Sequence, residues 1–575
     1  MRSLLLFTFV LPLTLQAQIQ SWPPGGITAS PYVLLLPDNR FVPSSKRYNM
    51  VWSDQLFGLP AGQIEFTAKN YVGAQKIFSY QADDYRAFNP NFLVISYHLA
   101  CGLNPLHNDN CPDPKTNSGS GYIGVVAPDG YVSEWENYFS PWLISHGIAV
   151  NSAQYENMFQ HYDAADSSHR VWHLDPQWLM NIENDDWRTY MGDVCTEWMS
   201  GNENEGCFLD VSVETMSSAL YNPNEYDPAP YDFNWYITPH GPLGYTVNSL
   251  ADFAAYMNNQ YLHYYQYLYP RFHMAIVDYL VLPNVDQMVT GWYNPTWLDG
   301  DGYGETVDGA MMESFGGYTG SDMYLSMQRG IAHLTGRGKI LLAQFTPNDD
   351  AERYRRVGMY MLMKNENSFL CIHPGNVDWY PEYEIDLGNQ SALPNTIDDL
   401  RVAGSDDASL FRRDYDGGMV LCNTSSSAMS YSLPGNSWKK VVTSGGGAVD
   451  ADGNISSQSI TYQPVSGSVT VDPSQCLILK NDSATGMNDE PEQSNRMIVS
   501  QNFSDHELYI HLSIQHSTEG EVKLIDVEGR TIQTLFSGTL SQGDHEFQMS
   551  IGDLPGGIYM AEFTGDGALV KKVMR

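Results

Sequence analysis

Basic residues are scarce: 30 lysines and arginines face 67 aspartates and glutamates over 575 residues, a formal charge of -37. Such a balance repels phosphate backbones, so no nucleic-acid partner is expected. Long apolar runs are missing too. The strongly apolar stretch at 4–15 falls short of the ~20 residues that a transmembrane helix requires, so no transmembrane segment is expected. The seven cysteines are scattered with no CxxC pair, which excludes a zinc knuckle and a dense disulfide framework. Cys101 with Cys111, and Cys195 with Cys207, are close enough in sequence to bridge, although spacing alone establishes neither bond.

Familiar reactive motifs are absent as well. There is no GxSxG elbow, no HExxH helix and no phosphate loop; GRGKI at 336–340 lacks the upstream glycine and the Ser or Thr. The segment from Asp450 starts like a calcium loop, but Ile455 replaces the needed glycine and Thr461 the bidentate glutamate. DGDGYGE at 299–305 reads as a flexible polar loop. No metal and no cofactor are therefore expected.

What is present divides the chain into five parts. Residues 1–18 combine Arg2, an apolar centre and Ala17 near a cleavage point, the pattern of a signal peptide. Residues 19–398 alternate short apolar runs with amphipathic stretches, which predicts strand and helix units of a parallel α/β sheet. The predicted strands are 48–52, 64–68, 92–98, 206–210, 279–284, 309–314, 339–344 and 368–374; helical patterns cover 178–199, 249–267, 321–335 and 350–364. Eight units of this kind suit a (β/α)8 TIM barrel. Residues 399–481 turn to short strands with Gly, Ser and Asp turns, a small all-β sandwich. A polar linker at 482–496 leads to another β-sandwich at 497–575.

One short pattern occurs twice. EGCFLD at 205–210 and DGAMME at 308–313 both run acid, glycine, three largely apolar residues, carboxylate. At the ends of two barrel strands, Asp210 and Glu313 would stand at equivalent heights on the face where side chains converge. Two convergent carboxylates suit glycoside hydrolysis, one protonating the leaving oxygen while the other attacks the sugar or activates water. Asp210 should then be ionised, while Glu313 needs a raised pKa. Glu214 is a reserve catalytic candidate. Strand ends and following loops offer Trp52, Asp54, Asn70, Tyr71, Tyr97, His98, Asn284, Trp292, Gln344 and His373 as a substrate-binding set of aromatic faces and polar groups. The competing role for each acid is helix capping, and for the tryptophans core packing.

Two resemblances sharpen this reading. Asp526–Arg530 (DVEGR), LPGGIY at 554–559 and the late Lys571 and Lys572 make the tail similar to the C-terminal sorting domain of the type nine secretion system. That resemblance implies contact with secretion machinery, and release from or attachment to the outer-membrane surface of a Gram-negative bacterium. NFLVISYHLA (91–100), PQWLMNIENDDWRTYMGD (176–193) leading into GCFLD, VDGAMMESFG (307–316) and HPGNVDWYPEYEIDLG (373–388) resemble a glycoside hydrolase family of barrel type with an appended β-sandwich. There Glu205 replaces a usual aspartate and Cys207 an aliphatic residue. The resemblance implies Asp210 as nucleophile or base and Glu313 as general acid but carries over no substrate; the expected function is that of a secreted glycosidase acting on a poly- or oligosaccharide. Retention or inversion is left open. The alternative is a non-catalytic carbohydrate-binding or adhesion protein on the same scaffold.

Overall fold

A computed structural model describes residues 50–54, 56–89, 92–103, 125–127, 130–132, 134–150, 152–159, 172–173, 177–201, 204–210, 212, 250–274, 277–285, 288, 306–365, 367–394, 396–481, 496–502, 507–514, 517–526, 530–552, 554–555, 558–565 and 567–574. The expected signal peptide, Glu214, Trp292, Cys111, 299–305 and nearly all of the expected linker at 482–496 lie outside the described residues.

Eight parallel strands form one sheet: β1 (Met50–Asp54), β2 (Tyr71–Gln75), β3 (Leu93–Leu99), β4 (Gly206–Asp210), β5 (Leu280–Pro283), β6 (Gly309–Met312), β7 (Ile340–Phe345) and β8 (Ser368–Ile372). Their order is β5-β4-β3-β2-β1-β8-β7-β6. The two ends meet through a parallel bridge between Asn284 and Met311, with Val285 N donating to Met311 O at 2.9 Å and Asp308 N to Val281 O at 3.0 Å. The sheet is thus a closed (β/α)8 barrel. Helices α1 (Ala61–Asn70), α2 (Ser79–Arg86), α3 (Asp185–Gly201), α4 (Leu250–Phe272), α5 (Gly320–Arg329) and α6 (Asp350–Met363) run between successive strands. Asp349 caps α6, its side chain accepting from Glu352 N at 2.8 Å.

The expected second strand at 64–68 is a correction. Those residues lie inside α1, where Phe66, Thr67 and Ala68 are buried, and the strand is the next segment, YVGAQ. A glycine and a glutamine hide it from a search for apolar runs. Gly73 is required there because a Cβ would lie 2.4 Å from Leu93 O and 2.7 Å from the Trp52 ring.

Side chains alternate across each strand, so the barrel has two cores. Trp52, Ile95, Phe208, Leu282, Met311, Leu342, Phe369 and Cys371 belong to the apolar cluster filling the lumen. A larger cluster lies between the strands and their helices.

The repeated acid-glycine pattern has a structural half. Glu205 gives its amide to Val94 O at 2.9 Å and accepts Val94 N on its carboxylate at 2.7 Å. Asp308 repeats both bonds with Val281, at 3.0 and 2.7 Å. Each acid therefore clamps its strand to the preceding one. Arg86 lies 2.8 Å from Glu205, whose burial pushes its pKa up to about 7 against that positive charge.

Residues 401–481 add a six-stranded antiparallel sheet and a two-stranded one. The neighbouring strands Gly418–Asn423 and Cys476–Asn481 are joined by a Cys422–Cys476 disulfide that spacing did not suggest. This sheet packs on α6: Tyr354 donates to Val441 O at 2.7 Å, and Arg413 donates to Leu362 O at 3.1 Å. Barrel and sheet belong to one compact unit ending at Ser483. The second unit, Ala484–Arg575, holds a three-stranded and a four-stranded antiparallel sheet around its own core. At the two ends of DVEGR, Arg530 Nε donates to Asp526 Oδ2 at 2.7 Å and Asp526 N to Arg530 O at 3.0 Å.

Candidate functional site

Moving two residues on from the lumen-filling side chains keeps the same face and reaches the C-terminal rim. From Trp52 that step leads to Asp54, from Ile95 to Tyr97, and from Phe208 to Asp210. Likewise Leu282 leads to Asn284, Met311 to Glu313, Leu342 to Gln344, and Cys371 to His373. An apolar column is thereby closed at one end by a polar layer.

Asp210 and Glu313 meet across Asn284. The Asn284 amide nitrogen donates to Asp210 Oδ1 at 2.8 Å and to Glu313 Oε2 at 2.6 Å. Tyr97 donates its hydroxyl to Asp210 Oδ2 at 2.9 Å. Both Asp210 oxygens thus accept hydrogen bonds, which fixes the orientation of the carboxyl group. Burial raises the pKa of Glu313, the nearby Asp210 raises it further, and Lys76 and the Asn284 bond oppose the rise.

Lys76 was not anticipated. It follows β2 in a left-handed conformation with φ 56°, and its ammonium sits 3.3 Å from Asp54 Oδ2 and 4.3 Å from the Tyr97 ring centre. Burial lowers its pKa, but Asp54, Asp210 and Glu313 outweigh that effect and hold it above the usual lysine value. Burial raises the Asp54 pKa against the opposing pull of Lys76. Holding a lysine at positive φ costs about 1–3 kcal/mol, a strain typical of functional positions. The signal was the polar pair Gln75-Lys76 closing a strand, concealed by the misplaced second strand.

His373 closes β8 with the same backbone handedness, φ 57°. Its Nδ1 lies 2.9 Å from Asp378 Oδ2 and 2.9 Å from the Tyr380 hydroxyl, contacts that fix the ring's orientation. Gln344 is buried in the same layer with its Oε1 unpartnered among the described residues, as is Asp54 Oδ1. Trp52 lies below them, packed on Phe369 with ring centres 5.8 Å apart.

Besides Trp52, which is buried in the lumen core below the polar layer, three residues expected here are elsewhere. His98 is one position out of phase with Tyr97, so it points outwards, fully buried, bonding Glu134 at 2.7 Å and lying beside Trp198 of α3. Asn70 ends α1, donating to Phe66 O at 2.6 Å. Tyr71 opens β2 with its ring near Trp379 and its hydroxyl donating to Asp378 O at 2.7 Å.

A family profile described as hypothetical glycosyl hydrolase family 15 matches residues 131–419, and one described as a secretion system C-terminal sorting domain matches residues 504–574. No curated protein matches the chain. Among solved structures, an Anoxybacillus alpha-amylase is 10% identical, covers 77% of this chain and 99% of its own, and superposes with a TM-score of 0.32. A noncanonic maltogenic alpha-amylase from Thermotoga neapolitana is 9% identical, with coverages of 76% and 99% and a TM-score of 0.34. A Flavobacterium johnsoniae dextranase complexed with glucose is 7% identical, with coverages of 85% and 65% and a TM-score of 0.36. Superpositions this loose carry no argument, and the barrel is read from its own strand order.

Proposed function

Since the chain belongs to the family described as hypothetical glycosyl hydrolase family 15 and ends in a sorting domain, making it a secreted glycoside hydrolase, we propose that Asp210 and Glu313 are its catalytic pair and that it acts with retention of configuration. The observation that carries this reading is the shared Asn284 donor. Asp210 Oδ1 and Glu313 Oε2 cannot be farther apart than those two hydrogen bonds laid end to end, about 5.4 Å. A bound this short on one pair of oxygens favours the ~5–5.5 Å carboxyl separation of retaining pairs over the ~6.5–9.5 Å that leaves room for water between inverting ones.

In the first step ionised Asp210, held by Tyr97 and Asn284, attacks the anomeric carbon while Glu313 gives its proton to the leaving oxygen. Forming the glycosyl ester removes the negative charge of Asp210. The share of the upward push on Glu313 that comes from Asp210 vanishes with it, while burial and Asp54 still act, so the Glu313 pKa falls at the stage when the residue must take a proton from water. Water then attacks the anomeric carbon from the face that the leaving group vacated, releasing the sugar and restoring Asp210.

Asp54, Lys76, Gln344 and His373 surround the pair with acceptors and donors suited to ring hydroxyls. The substrate this favours is a neutral poly- or oligosaccharide, because a chain of charge -37 disfavours polyanions.

The test is reducing-end release from a panel of neutral glycans by the secreted protein, beside Asp210→Asn and Glu313→Gln. Cleavage by wild type with loss of at least ~100-fold in both variants supports the assignment. Undiminished cleavage by either variant removes that residue from the pair. Binding without cleavage by any form would favour a carbohydrate-binding role.

A further inference from the structure

Behind Asp210, on the side of β4 away from the lumen, Cys207 faces Cys195 of α3. Their sulfur atoms are 3.3 Å apart, closer than unbonded sulfurs rest at ordinary contact, and both residues are fully buried. They come from different elements twelve positions apart, so the approach belongs to the fold and not to a local turn. The protein is secreted, and oxidising compartments are where disulfides form and persist. Cys422 and Cys476 already form one such bond in the same compact unit.

We propose that Cys195 and Cys207 form a second disulfide in the secreted protein, bolting helix α3 to the strand that carries Asp210. Bonded sulfurs lie about 2.05 Å apart, so closure draws the two atoms together by roughly 1.2 Å, within the reach of small side-chain rotations. The oxidant is a thiol–disulfide exchange protein of the export compartment. One cysteine thiolate attacks the oxidant's disulfide and displaces one of its sulfurs, giving a mixed disulfide. The other cysteine thiolate attacks that mixed disulfide, closes the Cys195–Cys207 bond and displaces the second sulfur. The two protons lost by the cysteines go to the oxidant, which leaves as a dithiol carrying the two electrons. Both thiols are buried in the finished fold, so the exchange belongs to the stage before α3 closes over β4.

The position has a consequence for the site. Cys207 is followed by Phe208 of the lumen core, Leu209 and then Asp210, so a bond at Cys207 limits sliding of β4 against its helix. That rigidity does not depend on the proposed roles of Asp210 and Glu313.

The test uses the full secreted chain, collected without reductant. Free thiols are alkylated in denaturant, the protein is digested, and peptides are mapped by mass spectrometry before and after reduction. The expected result is a cross-linked peptide pair joining Cys195 to Cys207, with neither residue alkylated until the sample is reduced. The Cys422–Cys476 pair in the same digest shows that oxidised bonds survived handling. Recovery of Cys195 and Cys207 as alkylated peptides before reduction, with the Cys422–Cys476 link intact, overturns the proposal. A link from either residue to a different cysteine overturns it as well.

Discussion

Asp210 and Glu313 share one hydrogen-bond donor, the amide of Asn284, at 2.8 and 2.6 Å. The shared donor brings two carboxyls close at the end of the lumen while Tyr97 occupies the other oxygen of Asp210. Asn284 is also where the barrel closes, through its bridge to Met311, so closure of the sheet and spacing of the acids depend on the same residue.

Replacing Asn284 with Ala should therefore leave two carboxyls without their common bracket. The Asn284 bond lowers the Glu313 pKa, so its loss lets that pKa rise. The expected outcome is a fall in kcat of roughly 10- to 100-fold with the alkaline limb of the pH–rate profile moved to higher pH. An unchanged profile would show that Asn284 does not act on Glu313.

Lys76→Met should move the same limb in the same direction. The lysine charge lowers the Glu313 pKa, and removing it keeps the acid protonated to higher pH. Loss of an ammonium that bonds Asp54 should also raise KM, because Asp54 then becomes a poorer partner for substrate hydroxyls. Steady-state kinetics across pH read both effects.

Glu313 should cost stability at neutral pH. Its folded pKa is raised above the unfolded value of 4.5, so above 4.5 the folded state holds a proton that the unfolded state has released. Stability then declines as pH rises from 4.5 through the folded value. Glu313→Gln should accordingly melt higher than wild type near pH 7, with the difference shrinking as pH falls towards 4. Thermal unfolding at several pH values checks the sign.

The outward His98 predicts a different pH dependence. Glu134 beside it raises the His98 pKa to about 9 despite burial, against an unfolded value of 6.5. The stabilisation from this pair is complete below pH 6.5 and disappears as pH rises through 9. Glu134→Gln leaves a buried imidazole without its counter-charge and should destabilise the fold by about 3–5 kcal/mol. Denaturant unfolding at pH 6 and pH 9.5 should show the penalty shrinking at the higher pH.

Most of the barrel was legible in the sequence, and its failures have physical causes. β4 and β6 announce themselves because strands of a parallel sheet are buried on both faces and read as apolar runs. β2 did not, since Gly73 and Gln75 fill positions where an aliphatic residue is expected, and Lys76 was lost with it. His98 was misplaced because adjacent strand residues face opposite ways; once Tyr97 reaches Asp210, its neighbour must point to the helices. Asn284 was visible as a strand-end residue, but its bracket between two acids depends on barrel closure, which no local pattern encodes.

The most direct measurement of the central claim is proton NMR of the first product formed from the glycan that the panel identifies, recorded before mutarotation. The spacing imposed by Asn284 predicts that this product has the anomeric configuration of the bond cleaved. A product of inverted configuration would contradict Asp210 as nucleophile and, with it, the mechanism derived from this site.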